Sequence, residues 1–240
     1  GGCKACVDGQ RLRQMGEPGS RAALKLVGAH TSLESKPRRG GAVVVVVWMI
    51  AWGYFLCPRW LQRVWIYGLA SVFKSLHWRE KVIRENLKII FSQWGEEQVR
   101  DLVQKSYRHF ASLVFEMLLF AGPARRWIAA NVSITGVENW QRAHDRGQGV
   151  LVLCSHLGNW EITAGAGGLM TPMEILIVTK KVKPAWLHRM MERGRARCLY
   201  GATYEPRTMK EILKQLGQGK TVGFVLDQYT GPPVGIRVPF

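Results

Sequence analysis

The chain has 240 residues, 47% of them apolar, and carries 34 Lys and Arg against 17 Asp and Glu, a net charge of +17. This length and apolar share exclude wholesale disorder and allow one large domain or a domain with an appendage. A mean hydropathy of −0.06 excludes a polytopic membrane protein. The positive surplus predicts an anionic partner: nucleic acid, an anionic membrane surface, or an acidic carrier or substrate. Ten Trp tilt that choice toward a membrane surface, where an indole keeps its ring apolar and its N–H wet.

Residues 1–41 are Gly-rich and basic, with 8 Lys and Arg against 3 Asp and Glu, and show no period. They read as a disordered extension or one foreign to the fold. Five Cys stand at 3, 6, 57, 154 and 198. An odd, scattered set is no disulfide framework, and the Cys3–Cys6 pair lacks the second pair a zinc site needs. Reduced thiols fit a protein facing the cytosol.

Residues 42–57, AVVVVVWMIAWGYFLC, are uncharged. Sixteen residues fall short of the roughly 20 of a spanning helix, but Lys36, Arg38, Arg39, Arg59 and Trp60 supply interfacial anchors. The stretch reads as a hydrophobic membrane anchor, with a buried strand or helix as the alternative. From 59 to 120 apolar residues recur at helical steps, among them Leu61, Val64, Trp65, Leu69, Val72 and Phe73. WREKVIRENLKIIF adds a basic helix suited to a membrane surface. Gly95-Glu96-Glu97 opens another helix, which Gly122-Pro123 ends.

From 131 the grammar becomes that of alternating strands and helices. Residues 131–136 read as a short strand, 137–145 as a helix, and VLVLC at 150–154 as a strand buried on both faces. A helix follows the turn 155–161. A strand is expected at 174–179, a basic helix at 185–200, a helix at 209–218 and a strand at 221–226. The fold class is α/β, a mainly parallel sheet flanked by helices and preceded by a helical membrane-associating region. The domain built on this sheet is expected over 58–240.

Ligands of such sheets bind beyond the carboxyl ends of the strands. Three of these ends carry polar groups: Ser155-His156-Leu157-Gly158-Asn159-Trp160-Glu161, Thr179-Lys180-Lys181 and Asp227-Gln228. His156 sits where a general base belongs. Glu161, five residues on, can reach back to one imidazole nitrogen and raise the basicity of the other. The following helix N-terminus offers N–H groups to an oxyanion. Gly158 allows close backbone approach and Asn159 can cap that helix. Cys154 points into the sheet, and Ser155 lacks a nucleophile elbow.

LVLCSHLGNWE resembles the hallmark of the bacterial lipid A biosynthesis acyltransferases, the lauroyl and myristoyl transferases, within the lysophospholipid acyltransferase superfamily with its His-x4-Asp/Glu motif. VIRENLKIIF, the Tyr107…Glu116 helix, ERGRAR and VLDQYTGPPVGIRVPF fall in family order, so the resemblance covers about residues 54–240. It implies transfer of a fatty acyl group from acyl-carrier protein, or acyl-CoA, to a hydroxyl of a lipid A precursor. His156 would be the base, Glu161 its partner, and Arg195 the arginine for the thioester oxyanion or a phosphate. Gly158, Asn159, Lys180, Asp227 and Gln228 would contact substrate. Lys180 stands where the family has Arg, and Lys is a point charge without a bidentate fork.

No metal or cofactor is implied, the acyl thioester being a co-substrate. The implied partners are acyl-carrier protein, an anionic lipid and the inner membrane, with the catalytic domain on the cytoplasmic face and no nucleic acid. Family members continue beyond Val-Pro-Phe, so part of the sheet is expected to be missing from this chain. Two rival readings stand beside this one: transfer to another glycolipid or a lysophospholipid, and a non-catalytic basic membrane-binding homologue.

Overall fold

The computed structural model describes residues 41–204 and 208–227. Residues 1–40, with Cys3 and Cys6, and the C-terminal stretch from Gln228 lie outside the described residues. Two compact units divide the chain, one of residues 42–123 and one beginning at 124.

The first unit is helical. The apolar run forms α1 (Gly41–Leu56). At a rise of about 1.5 Å per residue it is about 24 Å long, short of the ~30 Å hydrocarbon core. Among the described residues no helix is long and apolar enough to cross a membrane. Pro58, extended at φ −61° and ψ 153°, turns the chain into α2 (Arg59–Ser75). Then come α3 (Glu80–Ile90) and α4 (Glu96–Leu118). Gln98 accepts the Gly95 backbone N–H at 2.9 Å and so secures the start of α4. Val99, Val103, Tyr107 and Ala111, at four-residue steps along α4, form one buried stripe against Ala70 and Leu87. The Tyr54 ring stacks on Phe115 at 4.8 Å. The helices expected over 59–120 are all present.

The second unit opens with two short helices, α5 (Ala124–Asn131) and α6 (Val137–His144). Next come β1 (Val150–Cys154), α7 (Trp160–Met170) and β2 (Ile175–Val178). The chain continues through α8 (Ala185–Arg197), β3 (Tyr200–Thr203), α9 (Thr208–Gly217) and β4 (Thr221–Val225). The sheet is wholly parallel with order β1-β4-β2-β3. Right-handed crossovers put α7 and α8 on one face and α9 on the other, because the chain moves one way along the sheet for β1-β2-β3 and back for β4.

Three expectations are corrected. Residues 131–136 are not a strand: α5 ends at Asn131, and Val132 and Ile134 line a cavity before Gly136 enters the left-handed region at φ 78°. β1 is not buried on both faces. Among the described residues it is an edge strand paired only with β4, and Leu151 and Leu153 are 53% and 66% exposed. The basic helix does not reach Tyr200. Leu199 takes φ 61°, which ends the helix and starts β3.

Glycine shapes α7. A Cβ at Gly168 would lie 2.5 Å from the Cys198 carbonyl oxygen, so only Gly lets this helix lie on the joint between α8 and β3.

Candidate active site

The two central site residues leave the sheet together. Cys154 of β1 is in register with Val225 of β4. Two residues further along each strand stand His156 and Asp227. Asp227 Oδ2 accepts the His156 backbone N–H at 2.7 Å, and its Oδ1 meets His156 Nδ1 at 2.6 Å. These hydrogen bonds, the one to the ring foremost, hold the Asp227 carboxyl below its usual range. Trp160 meets the imidazole edge to face, with centroids 4.6 Å apart.

Between them runs the turn expected to hold the site. Gly158 has φ 71°, a conformation that any side chain would strain. Asn159 caps α7: its Oδ1 accepts the backbone N–H groups of Glu161 at 3.1 Å and Ile162 at 3.2 Å. Those two N–H groups, expected to serve an oxyanion, are thus committed to the cap.

Glu161 does not reach His156. It is buried, at 2% exposure, and faces Arg195, also 2% exposed. Arg195 Nε donates to Glu161 Oε2 at 3.0 Å, and a second guanidinium nitrogen donates to Oε1. Tyr200 Oη donates to Glu161 Oε2 at 2.6 Å. The third guanidinium nitrogen donates to Glu192 Oε1 at 2.9 Å and Tyr204 Oη at 2.8 Å. Burial alone would depress the guanidinium, but the hydrogen bonds and charge of Glu161 outweigh it, and its pKa is raised. Burial, then the Glu161 charge, pushes the Tyr200 phenol well up. The dyad expected between His156 and Glu161 is therefore corrected to a pair between His156 and Asp227. The guanidinium expected to meet an oxyanion or phosphate is instead enclosed with Glu161. The physical reason is the helix: Glu161 lies in the first turn of α7 and faces α8, whereas the imidazole lies over the strand ends.

A cavity of about 1080 Å³ opens beside His156. Val150, Val152, Ile175, Ile177, Thr221 and Gly223 share one sheet face by register and form its floor. Trp140 of α6 and Ile162 and Ala166 of α7 wall it. Trp140 Nε1 donates to Thr221 Oγ1 at 2.9 Å, which satisfies the one polar atom of that wall. Lys180, exposed, stands at the cavity beyond β2.

Cys154 also lines the cavity, yet its Sγ donates to the Phe224 carbonyl at 3.1 Å. Burial, then the Asp227 charge, pushes its thiol up, the opposite of nucleophile activation. Among the described residues no group of three or more His, Cys, Asp or Glu comes together to hold a metal. Gln228 lies outside the described residues. Two participants escaped the sequence reading in their present roles. Asp227 was read as a substrate contact, although its place two residues past a strand end, like that of His156, was visible. Trp160 was part of the noted Gly-Asn-Trp turn but was given no role against the ring.

A parallel sheet with an imidazole and a carboxylate at adjoining strand ends, beside a largely apolar cavity, is the arrangement of an α/β protein whose ligand site lies beyond the strand ends. The chain belongs to the bacterial lipid A biosynthesis acyltransferase family, whose model matches residues 30–240. It is 25% identical over 166 residues to the lipid A biosynthesis palmitoleoyltransferase of Escherichia coli (strain K12), covering 68% of this chain and 52% of that protein. It is also 25% identical over 164 residues to the lipid A biosynthesis lauroyltransferase of the same strain, covering 67% and 52%. A lipid A biosynthesis acyltransferase of Shigella flexneri matches 166 residues at 25% identity. The chain spans about half the length of these curated relatives.

Proposed function

We propose that this protein transfers a fatty acyl group from an acyl thioester to a hydroxyl of a lipid A precursor, with His156 as general base. The observation that carries this reading is the placement of His156 at an apolar cavity of about 1080 Å³, a volume suited to a fatty chain. The acceptor O–H gives its proton to His156 Nε2 as the oxygen attacks the thioester carbon. The C–S bond then breaks, and the departing sulfur takes the proton from the imidazolium. The products are the ester and a free thiol. The family and the names of its relatives support a lipid A acceptor.

The remaining residues serve the reaction by placement. Gly158 and Asn159 hold the turn that carries His156 and fix the start of α7. Lys180 places a positive charge at the cavity for an acceptor phosphate. Lys181, Lys183 and Arg193, all exposed, favour acyl-carrier protein as the acyl donor by attraction of its acidic surface. Glu161 and Arg195 act from the interior by joining α7 to α8.

The site of action is the cytoplasmic face of the bacterial inner membrane. Val45, Val46, Trp48 and Met49 of α1, and Trp60, Val64 and Tyr67 of α2, are exposed apolar groups, which favours attachment without a crossing. The test is acyl transfer from radiolabelled acyl-carrier protein to a tetra-acylated lipid A precursor, wild type beside His156→Ala. Transfer by the wild type, lost in the variant, is expected. Equal transfer by both overturns the reading, and transfer only to another glycolipid or a lysophospholipid moves the acceptor.

A further inference from the structure

We infer that Trp140, tethered to Thr221, is the stop that sets how long an acyl chain the cavity accepts. This rests on the acyl-transfer reading, which puts such a chain in the cavity, and adds the residue that limits its length.

The sheet supplies a scale. Val150 and Thr221 are in register at the first residues of β1 and β4, and Ile175 of β2 pairs with the same Thr221. All three line the cavity, and so does His156, six residues on from Val150. At about 3.3 Å per residue, the cavity extends about 20 Å from the level of the imidazole to the level of Thr221. A zigzag of tetrahedral carbons advances about 1.2 Å per bond, as extended backbone does, so this depth matches a chain of about 12–16 carbons.

Trp140 stands at the far end of that depth and is held there. It is buried, its Nε1 donates to Thr221 Oγ1 at 2.9 Å, and His144 stacks on its ring with centroids 4.7 Å apart and planes 15° from parallel. An indole fixed at its edge and on one face cannot swing aside for another methylene without leaving a buried donor unpaired. Met173 borders the same end, but a thioether adapts its shape, whereas the tethered ring does not. A chain that reaches Trp140 can therefore grow no further without overpacking, which disfavours longer donors about tenfold or more. The opposite end carries an indole too: Trp160 lines the cavity and meets the His156 ring at 4.6 Å. The two rings mark the two ends of the space.

The test reads position first, without any transfer. The whole protein in detergent micelles is titrated with 2-bromohexadecanoate, whose bromine lies beside the carboxylate, or with 12-bromododecanoate or 16-bromohexadecanoate, whose bromine is at the methyl end. Bromine quenches indole fluorescence on contact, and Trp140→Phe and Trp160→Phe identify the share of the emission that belongs to each ring. At least one methyl-end probe is expected to quench Trp140, and 2-bromohexadecanoate to quench Trp160. Kinetics follow, with acyl-carrier protein donors of graded length. In Trp140→Ala, kcat/KM for the first donor beyond the wild-type limit rises about tenfold, and in Trp140→Phe less, while the shortest donors change by no more than about threefold. Quenching of Trp160 by 2-bromohexadecanoate, with none of Trp140 by either methyl-end probe, overturns the inference and leaves the acyl-transfer reading standing. So does quenching of Trp140 by 2-bromohexadecanoate alone, or a length profile unchanged in both variants. If Trp140→Ala does not fold, the quenching and Trp140→Phe decide. Quenching of neither ring empties the cavity of any fatty chain and overturns the inference, and His156→Ala then decides the acyl-transfer reading separately.

Discussion

Arg195 grips both oxygens of Glu161 across 34 residues of sequence, and each side chain is only 2–3% exposed. Removing one partner leaves a buried charge with nothing to balance it. Glu161→Gln is expected to destabilise the protein by about 3–5 kcal/mol, and Arg195→Met by a similar amount. The double variant should recover several kcal/mol of that loss, because a neutral pair needs no compensation. Denaturant unfolding of the three variants measures it, and additive losses would refute the coupling.

The cavity floor has a gap at Gly223. A Cβ there would meet Ile177 at 3.6 Å, an ordinary contact, so Gly223→Ala should fold normally. Gly223→Val places two further methyl groups in the space assigned to the acyl chain. We expect kcat/KM for the longest accepted donor to fall about tenfold, an overpacking cost of about 1.4 kcal/mol, while shorter donors are spared. A panel of acyl-carrier proteins of graded chain length reads this directly.

Gly168→Ala tests the close approach of α7. Its new Cβ would stand 2.5 Å from the Cys198 carbonyl oxygen and 2.9 Å from that of Leu199. Backbone must move, and a loss of about 1–3 kcal/mol or more is expected in thermal unfolding. Gly217→Ala, whose Cβ meets nothing within 4 Å, is the control and should be near neutral.

Cys198 is fully buried, and burial pushes its thiol up to about 12. At pH 8 only about one molecule in ten thousand carries the thiolate. Native protein should therefore resist iodoacetamide at Cys198, and labelling should appear only on unfolding, as read by peptide mass spectrometry. The sign for stability follows: the unfolded thiol ionises from about pH 8.5, the folded one does not until about 12, so Cys198 makes the protein less stable as pH rises through that interval.

Helix positions in the first unit were legible because their apolar stripes repeat every three or four residues, as Val99, Val103, Tyr107 and Ala111 do. The strands at 150–154, 175–178 and 221–225 were legible as short apolar runs between turns. β3 was not, since Tyr200-Gly201-Ala202-Thr203 carries little β character and one left-handed residue, Leu199, separates it from a strong helix. His156 was visible from its place at a strand end. Its partner was not, because sequence spacing favours Glu161 at five residues, whereas strand order brings Asp227 from 71 residues away. Arg195 was found but given the wrong surroundings. Nothing in a run of basic residues distinguishes the one that turns inward.

β4 lies between β1 and β2, although among the described residues it is the last strand to be made. A ribosome adding 5–20 residues per second needs roughly 4–14 s to pass from His156 to Asp227. Through that interval β1 lacks β4, its neighbour among the described strands, and His156 lacks Asp227. The nascent chain thus carries an unpaired apolar strand, VLVLC, that invites chaperone capture or premature contact with lipid. Insertion of β4 thus does two things at once: it gives β1 its partner, and it brings the Asp227 carboxylate to the His156 ring.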